Sequence, residues 1–229
     1  MRQGVLWYEM RELGVIALLT PLFVVAGIAL FAGMMTLGGA QSEQIANVLT
    51  RGMEILFPLA AGTVAATVVT SDPGVEWQLT MPTSYRVTIF RRLGLLLTWS
   101  ALVAFGDVLG LRIIGRWIVP KPFIVGQLMW LAPMLSFAAL GALLSLLVRN
   151  RSASAGLVGG IWIIELLLHG YLLDQAWARP WFSFATTWAG EETFWLSNRL
   201  TLIGLAGALF VGVAALLEQR EMLLTGGEA

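Results

Sequence analysis

The chain has 229 residues, of which 58% are hydrophobic and only 12% are charged, and its formal net charge is zero. Soluble domains are about 45–50% apolar and about 25% charged, so this chain has too little polar surface to cover a soluble globule. The balanced charge argues against a nucleic-acid partner. The sequence contains no cysteine, which excludes disulfides, thiolate metal sites and a cysteine nucleophile. The composition indicates an integral membrane protein.

Six hydrophobic runs predict an all-α membrane protein with six spans in a single domain, residues 1–229. About 20 helical residues cross a hydrocarbon core of about 30 Å, and every run is near or above that length. The runs are apolar on all sides, whereas each helix of a soluble bundle would show a polar stripe. The predicted spans are 13–37, 52–70, 93–111, 124–148, 154–173 and 200–217.

Residues 2–12 precede the first run and predict a short interfacial helix rather than a secretory signal. Glu9 and Glu12 interrupt the hydrophobic pattern, and no small-residue cleavage site follows it. The two acids share a polar face, while Trp7 and Tyr8 suit the headgroup layer of a membrane.

Six spans place both termini on one side, and the positive-inside rule selects the cytoplasm for them. In that orientation eight basic residues face the cytoplasm and six face out. The arginine clusters at 91–92 and 149–151 agree with this assignment, whereas the basic residues in 112–121 disagree with it. We therefore expect a multi-pass protein of the inner or plasma membrane with both termini in the cytoplasm.

The stretch EWQLTMPTS, residues 76–84, lies in the largest predicted cytoplasmic loop, residues 71–92. Ser71 or Asp72 can cap a short helix there. Pro82 ends that helix, because proline cannot continue the hydrogen-bond ladder. The stretch therefore predicts a surface helix that leads directly into the third span, and an ordinary loop helix is the alternative.

The pattern Glu76-x-x-Leu79-x-x-Pro82-x-Ser84, followed by a basic cluster and a long span, resembles the coupling helix of type-2 ABC exporter permease subunits. The plan of N-terminal interfacial helix, six spans, long inner loop and wide outer segment is similar too. The resemblance implies contact with a separate ATP-hydrolysing subunit through Glu76, Trp77, Gln78, Leu79, Met81 and Pro82. Arg149 and Arg151 would add a second contact, or would serve only as positive-inside anchors.

The sequence has no GxxxxGK[ST] motif, and its one lysine, Lys121, lies on the predicted outer side. A chain without this motif cannot hold ATP phosphates in a P-loop. We therefore expect no catalytic site and no cofactor on this chain, with ATP and magnesium bound by the partner subunit. The resemblance also implies a dimer, formed with a second copy or a similar permease, surrounded by membrane lipid.

Ionisable residues inside membrane spans are costly and indicate function by default. Glu165 and His169 are four residues apart and predict one helix face, where they could form part of a substrate path or a proton relay. Alternatively, both lie wet or paired near the outer end of the fifth span. Thr63 and Thr67 in the second span could line a wet path, or bond back to their own backbone.

Asp107 is the third acidic or basic group of this kind, and Arg112 lies close enough in sequence to pair with it. Together with Glu165 and His169 it supports an alternative function, an ion- or proton-coupled secondary carrier. No inverted repeat or convincing pair of broken helices accompanies it. A membrane assembly partner without transport activity is a further alternative, and a single histidine makes a histidine metal site implausible.

Two further patterns concern packing and the outer surface. Gly156-x-x-x-Gly160 and the row formed by Gly204, Ala208 and Gly212 are typical of close helix packing in membranes. The segment 174–198 carries four tryptophans and is too apolar for a free aqueous loop, so it predicts short helices at the outer interface.

Overall fold

The structure is a computed structural model that describes residues 2–70 and 85–225, with side chains described for 14–69 and 85–219. Over this part the chain is helical throughout, apart from turns and connectors. We number the described helices α1 (Arg2–Leu37), α2 (Ser42–Thr70), α3 (Tyr85–Ile113), α4 (Phe123–Gly126), α5 (Leu128–Val148), α6 (Arg151–Leu167), α7 (His169–Asp174), α8 (Ala185–Ala189) and α9 (Trp195–Thr225). A 3-10 helix, Arg179–Trp181, lies between α7 and α8.

Five stretches of the described chain are long and apolar enough to cross a membrane, and each overlaps one of the predicted spans. They are Gly14–Leu37, Ser42–Val69, Tyr85–Ile113, Phe123–Val148 and Trp195–Gln219. The predicted span 154–173 is divided, because the backbone leaves helical geometry at Leu168 (φ −98°, ψ 15°) between α6 and α7. The architecture is therefore an all-helical chain whose long helices can cross a membrane several times.

Helix α1 is broken at Gly14, whose backbone (φ 80°, ψ 150°) lies outside helical geometry. This region of φ/ψ space is open to glycine and strained for residues with a Cβ atom. The break separates the residues before it, which are helical as predicted, from the span-length segment Gly14–Leu37.

Helix α2 is the centre of the bundle and packs against α1, α3, α5 and α6. In the most apolar window of each span, 61% of residues are buried in α2 and in Phe123–Val148, compared with 22–28% in the other three spans. The backbones of α2 and α5 lie in close contact at Gly62 and Gly141. A Cβ atom on Gly141 would collide with the carbonyl of Gly62, so these two glycines permit the central contact.

The small-residue rows predicted for packing do not take this role within the described chain. A Cβ atom placed on Gly156, Gly160 or Gly204 would meet no heavy atom within 4 Å. Only Gly212 of these rows faces another helix, where a Cβ atom would lie 3.7 Å from the side chain of Leu143 in α5. The close backbone approach uses Gly62 and Gly141.

The helices run alternately in opposite directions, which gives the bundle two distinct ends. At one end Arg116, after α3, donates to the carbonyl of Ser42 at the start of α2, at 2.7 Å. We name this the cap end, which includes residues 38–41, 114–122 and 175–194. At the other end Arg86 in α3 pairs with Glu218 in α9 at 3.1 Å. We name this the loop end, which includes the end of α2, the start of α3 and residues 149–150.

Candidate functional site

A buried ion pair joins α2 and α9 at the cap end of the bundle. Glu54 and Arg199 are both 0% exposed, and Nη2 of Arg199 donates to Oε1 of Glu54. Removing two charges from water is costly unless hydrogen bonds satisfy their remaining polar atoms. The surroundings of the pair therefore decide whether it stabilises the fold.

The carboxylate of Glu54 has a complete set of donors. Oε1 accepts the backbone N–H of Thr186 at 2.8 Å in addition to the guanidinium of Arg199. Oε2 accepts the backbone N–H of Thr187 at 2.7 Å and the hydroxyl of the same residue at 2.5 Å. A carboxylate offers about four lone-pair sites, so every site of Glu54 has a donor.

The guanidinium of Arg199 holds the same segment from the side of α9. Nη1 donates to the carbonyl of Ser183 at 2.8 Å, and Nη2 donates to the hydroxyl of Thr186 at 2.9 Å. The indole N–H of Trp195 donates to that hydroxyl at 2.8 Å. The pair thus ties α2, α9 and the start of α8 into one unit.

Asn198, next to Arg199 on α9, extends this unit to the 3-10 helix. Its side-chain amide donates to the carbonyls of Arg179 at 2.7 Å and Phe182 at 2.9 Å. The segment 179–187 is therefore held by consecutive residues of α9 and by Glu54 of α2. We name this set of contacts the cap cluster: Glu54, Ser183, Thr186, Thr187, Trp195, Asn198 and Arg199.

Glu165 and His169, two residues of the predicted substrate path, also contact the segment at the cap end. Oε2 of Glu165 accepts the backbone N–H of Ser183 at 3.0 Å. The ring of His169 stacks on Trp188 with a centroid separation of 4.6 Å. The helix break at Leu168 places the two residues on separate helices, so they have separate partners instead of sharing one uninterrupted face. Short helices form within 174–198 as predicted.

Thr63 and Thr67, the other two residues of the predicted path, line a cavity of about 610 Å³ at the loop end. The hydroxyl of Thr63 donates to the carbonyl of Leu59 at 2.9 Å, and that of Thr67 donates to the carbonyl of Val64 at 2.8 Å. The two threonines therefore bond to their own helix and also line a cavity, and their place in a wet substrate path stays a prediction. The cavity does not include Glu165 or His169. The four residues of the predicted substrate path therefore lie at opposite ends of the bundle, two at the cap end and two at the loop end.

The loop between α5 and α6 separates two arginines that the sequence grouped together. Arg149 ends α5 in the left-handed conformation (φ 56°). Asn150 caps α6 through its side-chain oxygen, which accepts the N–H of Ala153 at 3.0 Å. Both arginines are exposed, and Arg151 contributes to the lining of the loop-end cavity.

The remaining predicted contacts with an ATP-hydrolysing subunit fall in the connection between α2 and α3. Glu76, Trp77, Gln78, Leu79, Met81 and Pro82 lie outside the described residues. Their assignment stays a prediction from the sequence pattern.

The expected ion pair between Asp107 and Arg112 is wrong. Within the described chain the guanidinium carbon of Arg112 lies 4.2 Å from the ring centroid of Phe123, in α4, and no ion pair joins it to Asp107. A cation over an aromatic face is favourable, and the ring of Phe123 provides that partner.

The residues available for a metal or a cofactor are few. Over residues 14–69 and 85–219, no group of three histidine, aspartate or glutamate side chains is placed to hold a metal ion. A second cavity, of about 380 Å³, adjoins the cap cluster and carries Arg51, Glu191 and Glu192. Its lining mixes both signs of charge and indicates no single ligand class.

The cap cluster was missed by reasoning from the sequence. Arg199 is one of the six basic residues assigned to the outer side, and Glu54 lies inside the second predicted span, residues 52–70. The available signal was an acid, Glu54, inside an otherwise apolar predicted span and a base, Arg199, directly before another one, a combination that indicates either function or pairing. Their partnership spans 145 residues, so sequence spacing gave no guide to it.

No protein-family model matches this chain, and no match to it is found among curated proteins or solved structures.

Proposed function

We propose that this chain is the membrane subunit of an ATP-driven exporter, in which a separate P-loop subunit binds residues 72–84. The observation that carries the proposal is the pattern EWQLTMPTS together with its place between the end of α2 and the start of α3. The resemblance implies that two such subunits, identical or similar, form the substrate path. It also implies a location in the cell membrane.

Six crossings of the membrane complete the proposal. Five apolar helices have sufficient length, and α6 with α7 would provide the sixth crossing as a broken pair. Helix α6 begins beside the loop end at Arg151, and Glu165 near its end bonds to Ser183 at the cap end. Six crossings place both termini and residues 71–84 on one side, which the arginine clusters assign to the cytoplasm.

The contacts of α2 suggest how movement of residues 71–84 would reach the substrate path. Helix α2 ends at Thr70, directly before that segment, and its 29 residues span roughly 43 Å. Because it touches α1, α3, α5 and α6, a displacement of its loop end changes the loop-end cavity. Such movement of a rigid helix is a common form of conformational switching.

Pro58 supplies a bending point within α2. A proline has no N–H, so the carbonyl of Glu54 lacks its helical partner four residues on. Helix kinks occur at such positions. The cap cluster fixes α2 on the cap-end side of Pro58, and the helix beyond Pro58 can swing with residues 71–84.

A second candidate function is an ion- or proton-coupled secondary carrier. One observation favours it: the helix break at Leu168 lies between Glu165 and His169, and carriers often bind ions at broken helices. It is weaker, because carriers of that type use a pair of breaks in corresponding positions of two repeats.

The test combines copurification with ATP hydrolysis. The chain alone should not hydrolyse ATP, and a P-loop subunit should copurify with it from native membranes. Loss of one partner of a buried charged contact costs about 2–5 kcal/mol, so Glu76→Ala should weaken this association by about thirtyfold or more. Leu79→Asp should act in the same direction by placing a charge in an apolar contact.

The control variant is Thr193→Ala at the cap end, where the side chain is exposed. It should leave association and cargo-stimulated hydrolysis unchanged. Unaltered association in both Glu76→Ala and Leu79→Asp would show that EWQLTMPTS is an ordinary loop, and the proposal would then fail.

A further inference from the structure

The two central helices, α2 and α5, each contain a proline at the same depth in the bundle. Both helices run from the cap end to the loop end. Gly62, four residues after Pro58, meets Phe137, four residues after Pro133, and a Cβ atom on Gly62 would lie 2.9 Å from the carbonyl oxygen of Phe137. The two prolines are therefore level with each other, about one helical turn before this contact.

The backbone of both helices is weakened at this level. Each proline lacks an N–H, so the carbonyl four residues before it loses its helical donor. A hydroxyl side chain adds to the effect in each helix: Thr63 donates to the carbonyl of Leu59 at 2.9 Å, and Ser136 donates to the carbonyl of Pro133 at 3.0 Å. Such bonds of a hydroxyl to its own helix often bend the helix, and sharp kinks occur at prolines. Helices α2 and α5 therefore share one bending level.

The close contacts of α2 change partner at the same level. On the cap-end side of Pro58, a Cβ atom on Gly52 would lie 3.0 Å from the side chain of Ile28, so α2 packs tightly on α1 there. On the loop-end side, Gly62 and Gly141 bring the backbones of α2 and α5 together. The loop-end part of α2 must therefore move together with that of α5, while its cap-end part stays with α1.

The cavity of about 610 Å³ at the loop end provides room for such a movement. It separates α1 from the loop-end part of α2, with Ala17 lining it from α1 and Val64 and Val68 lining it from α2. The indole N–H of Trp99 in α3 donates to the carbonyl of Leu18 at 2.8 Å and holds α1 on its side of the cavity. Protein interiors are close-packed, so a rigid part moves only where free volume adjoins it.

We infer that residues 59–69 of α2 and 134–148 of α5 form one rigid unit that rocks about Pro58 and Pro133 and narrows the loop-end cavity against α1. We name residues 59–69 and 134–148 the rocking unit. As an account of how ATP hydrolysis reaches the cavity, the inference rests on the exporter proposal. The movement itself belongs to this chain and needs no partner subunit.

The experiment measures distances by double electron–electron resonance in the purified full chain, reconstituted in nanodiscs without a partner subunit. Because the chain has no cysteine, nitroxide labels attach only at introduced cysteines. One pair of labels, at Val15 and Leu147, reports on the loop end. The other pair, at Leu37 and Ile124, reports on the cap end of the same two spans, and all four side chains are exposed.

The expected displacement is large enough for this method. Leu147 lies about 14 residues beyond Pro133, or about 21 Å along the helix. A change of about 20° in the bend, the size of a sharp helix kink, moves that label by about 7 Å. We expect a distance distribution of about this width at the loop end and a single narrow distribution at the cap end.

The variants test whether the two prolines act together. Pro58→Ala and Pro133→Ala each restore a helical N–H, and either one alone should narrow the loop-end distribution because the two helix halves are locked to each other. Ala17→Leu fills the cavity from α1 and should remove the shorter distances. The control is Pro120→Ala in the exposed connector at the cap end, which should leave the loop-end distribution broad. An unchanged cap-end distance in every variant shows that the fold is intact.

Three outcomes would overturn the inference. A single narrow loop-end distribution in the unaltered chain would show that no rocking occurs. Equal widths at the two ends would indicate movement of whole helices instead of a bend. Narrowing by Pro58→Ala but not by Pro133→Ala would show that α2 bends alone. If the rocking unit moves as expected while Glu76→Ala and Leu79→Asp leave the ATP-hydrolysing partner bound, the inference stands and the exporter proposal fails separately.

Discussion

The cap cluster makes a quantitative prediction about the two sides of its ion pair. Removing Arg199 leaves the carboxylate of Glu54 with three donors from Thr186 and Thr187. Removing Glu54 leaves the guanidinium without its acid and the backbone N–H of Thr186 without its acceptor, whereas the N–H of Thr187 keeps the carbonyl of Phe184 at 3.2 Å. The structure therefore predicts that Glu54→Leu destabilises the protein more than Arg199→Met does.

The magnitudes follow from the number of groups left without partners. Breaking a buried pair costs about 3–5 kcal/mol, because one charge stays buried and uncompensated. A buried N–H group without an acceptor adds about 1–3 kcal/mol. We therefore expect the free energy of unfolding to fall by about 3 kcal/mol in Arg199→Met and by about 5 kcal/mol or more in Glu54→Leu. In the double variant no charge stays buried without a partner, so the loss of stability should fall to the cost of a backbone N–H without an acceptor, about 1–3 kcal/mol.

The assay is thermal unfolding of detergent-purified protein, monitored by the fraction that remains monodisperse on size exclusion. The exposed pair Arg86–Glu218, with side chains 45% and 59% exposed, provides the control. Arg86→Met and Glu218→Leu should each cost less than about 1 kcal/mol. If Glu54→Leu is too unstable to purify, Glu54→Gln retains one carbonyl acceptor and should be intermediate. If the stability losses of the two single variants simply add in the double variant, the two residues do not interact and the ion pair is refuted.

Three other predictions concern the helices. Gly141→Val should lower the free energy of unfolding by about 1–3 kcal/mol in the same assay, because its Cβ meets the carbonyl of Gly62. The control Gly94→Ala, whose Cβ meets nothing within 4 Å, should be neutral or stabilising. Equal effects of the two variants would contradict the close packing of α2 and α5. A cysteine at Gln78 should resist an impermeant thiol reagent in intact cells and one at Thr193 should react, and the reverse pattern would overturn the topology. Pro58→Ala should restore the hydrogen bond to the carbonyl of Glu54 and lower cargo-stimulated ATP hydrolysis without loss of thermal stability; unchanged hydrolysis would remove Pro58 as a bending point.

Hydropathy predicted the long helices well because burial in a bilayer is a local property of about 20 consecutive residues. It placed the start of the second span at residue 52, whereas α2 begins at Ser42. The additional residues, 42–51, are too polar to register as a span, yet they are helical at the cap end. There Arg116 bonds to Ser42, and Thr50 donates to the carbonyl of Arg116 at 3.4 Å. A hydropathy window therefore finds the membrane part of a helix and misses its polar extension.

The features that the sequence did not predict depend on contacts between distant residues. The helix break at Leu168 follows no proline or glycine in the immediately preceding residues, and it lies where α6 meets Ser183 through Glu165. The choice of Gly62 and Gly141 over the more regular glycine row at 156–160 depends on which helix faces occupy the centre of the bundle. The spacing of glycines within one helix contains no information about that choice.

The two ends of α2 differ in a way that bears on mechanism. At the cap end Glu54 has a donor at every lone-pair site and is held by residues from two other elements, so movement there would break several buried hydrogen bonds at once. At the loop end Thr63 and Thr67 line a cavity, and their hydroxyls donate to carbonyls of α2 itself, so a bend of that part of α2 leaves those hydrogen bonds intact. Between the two ends Pro58 omits one backbone hydrogen bond. A force applied at Thr70 would therefore bend α2 near Pro58 and reshape the cavity beside Arg92 and Arg151, while the cap cluster holds the opposite end of α2 in place.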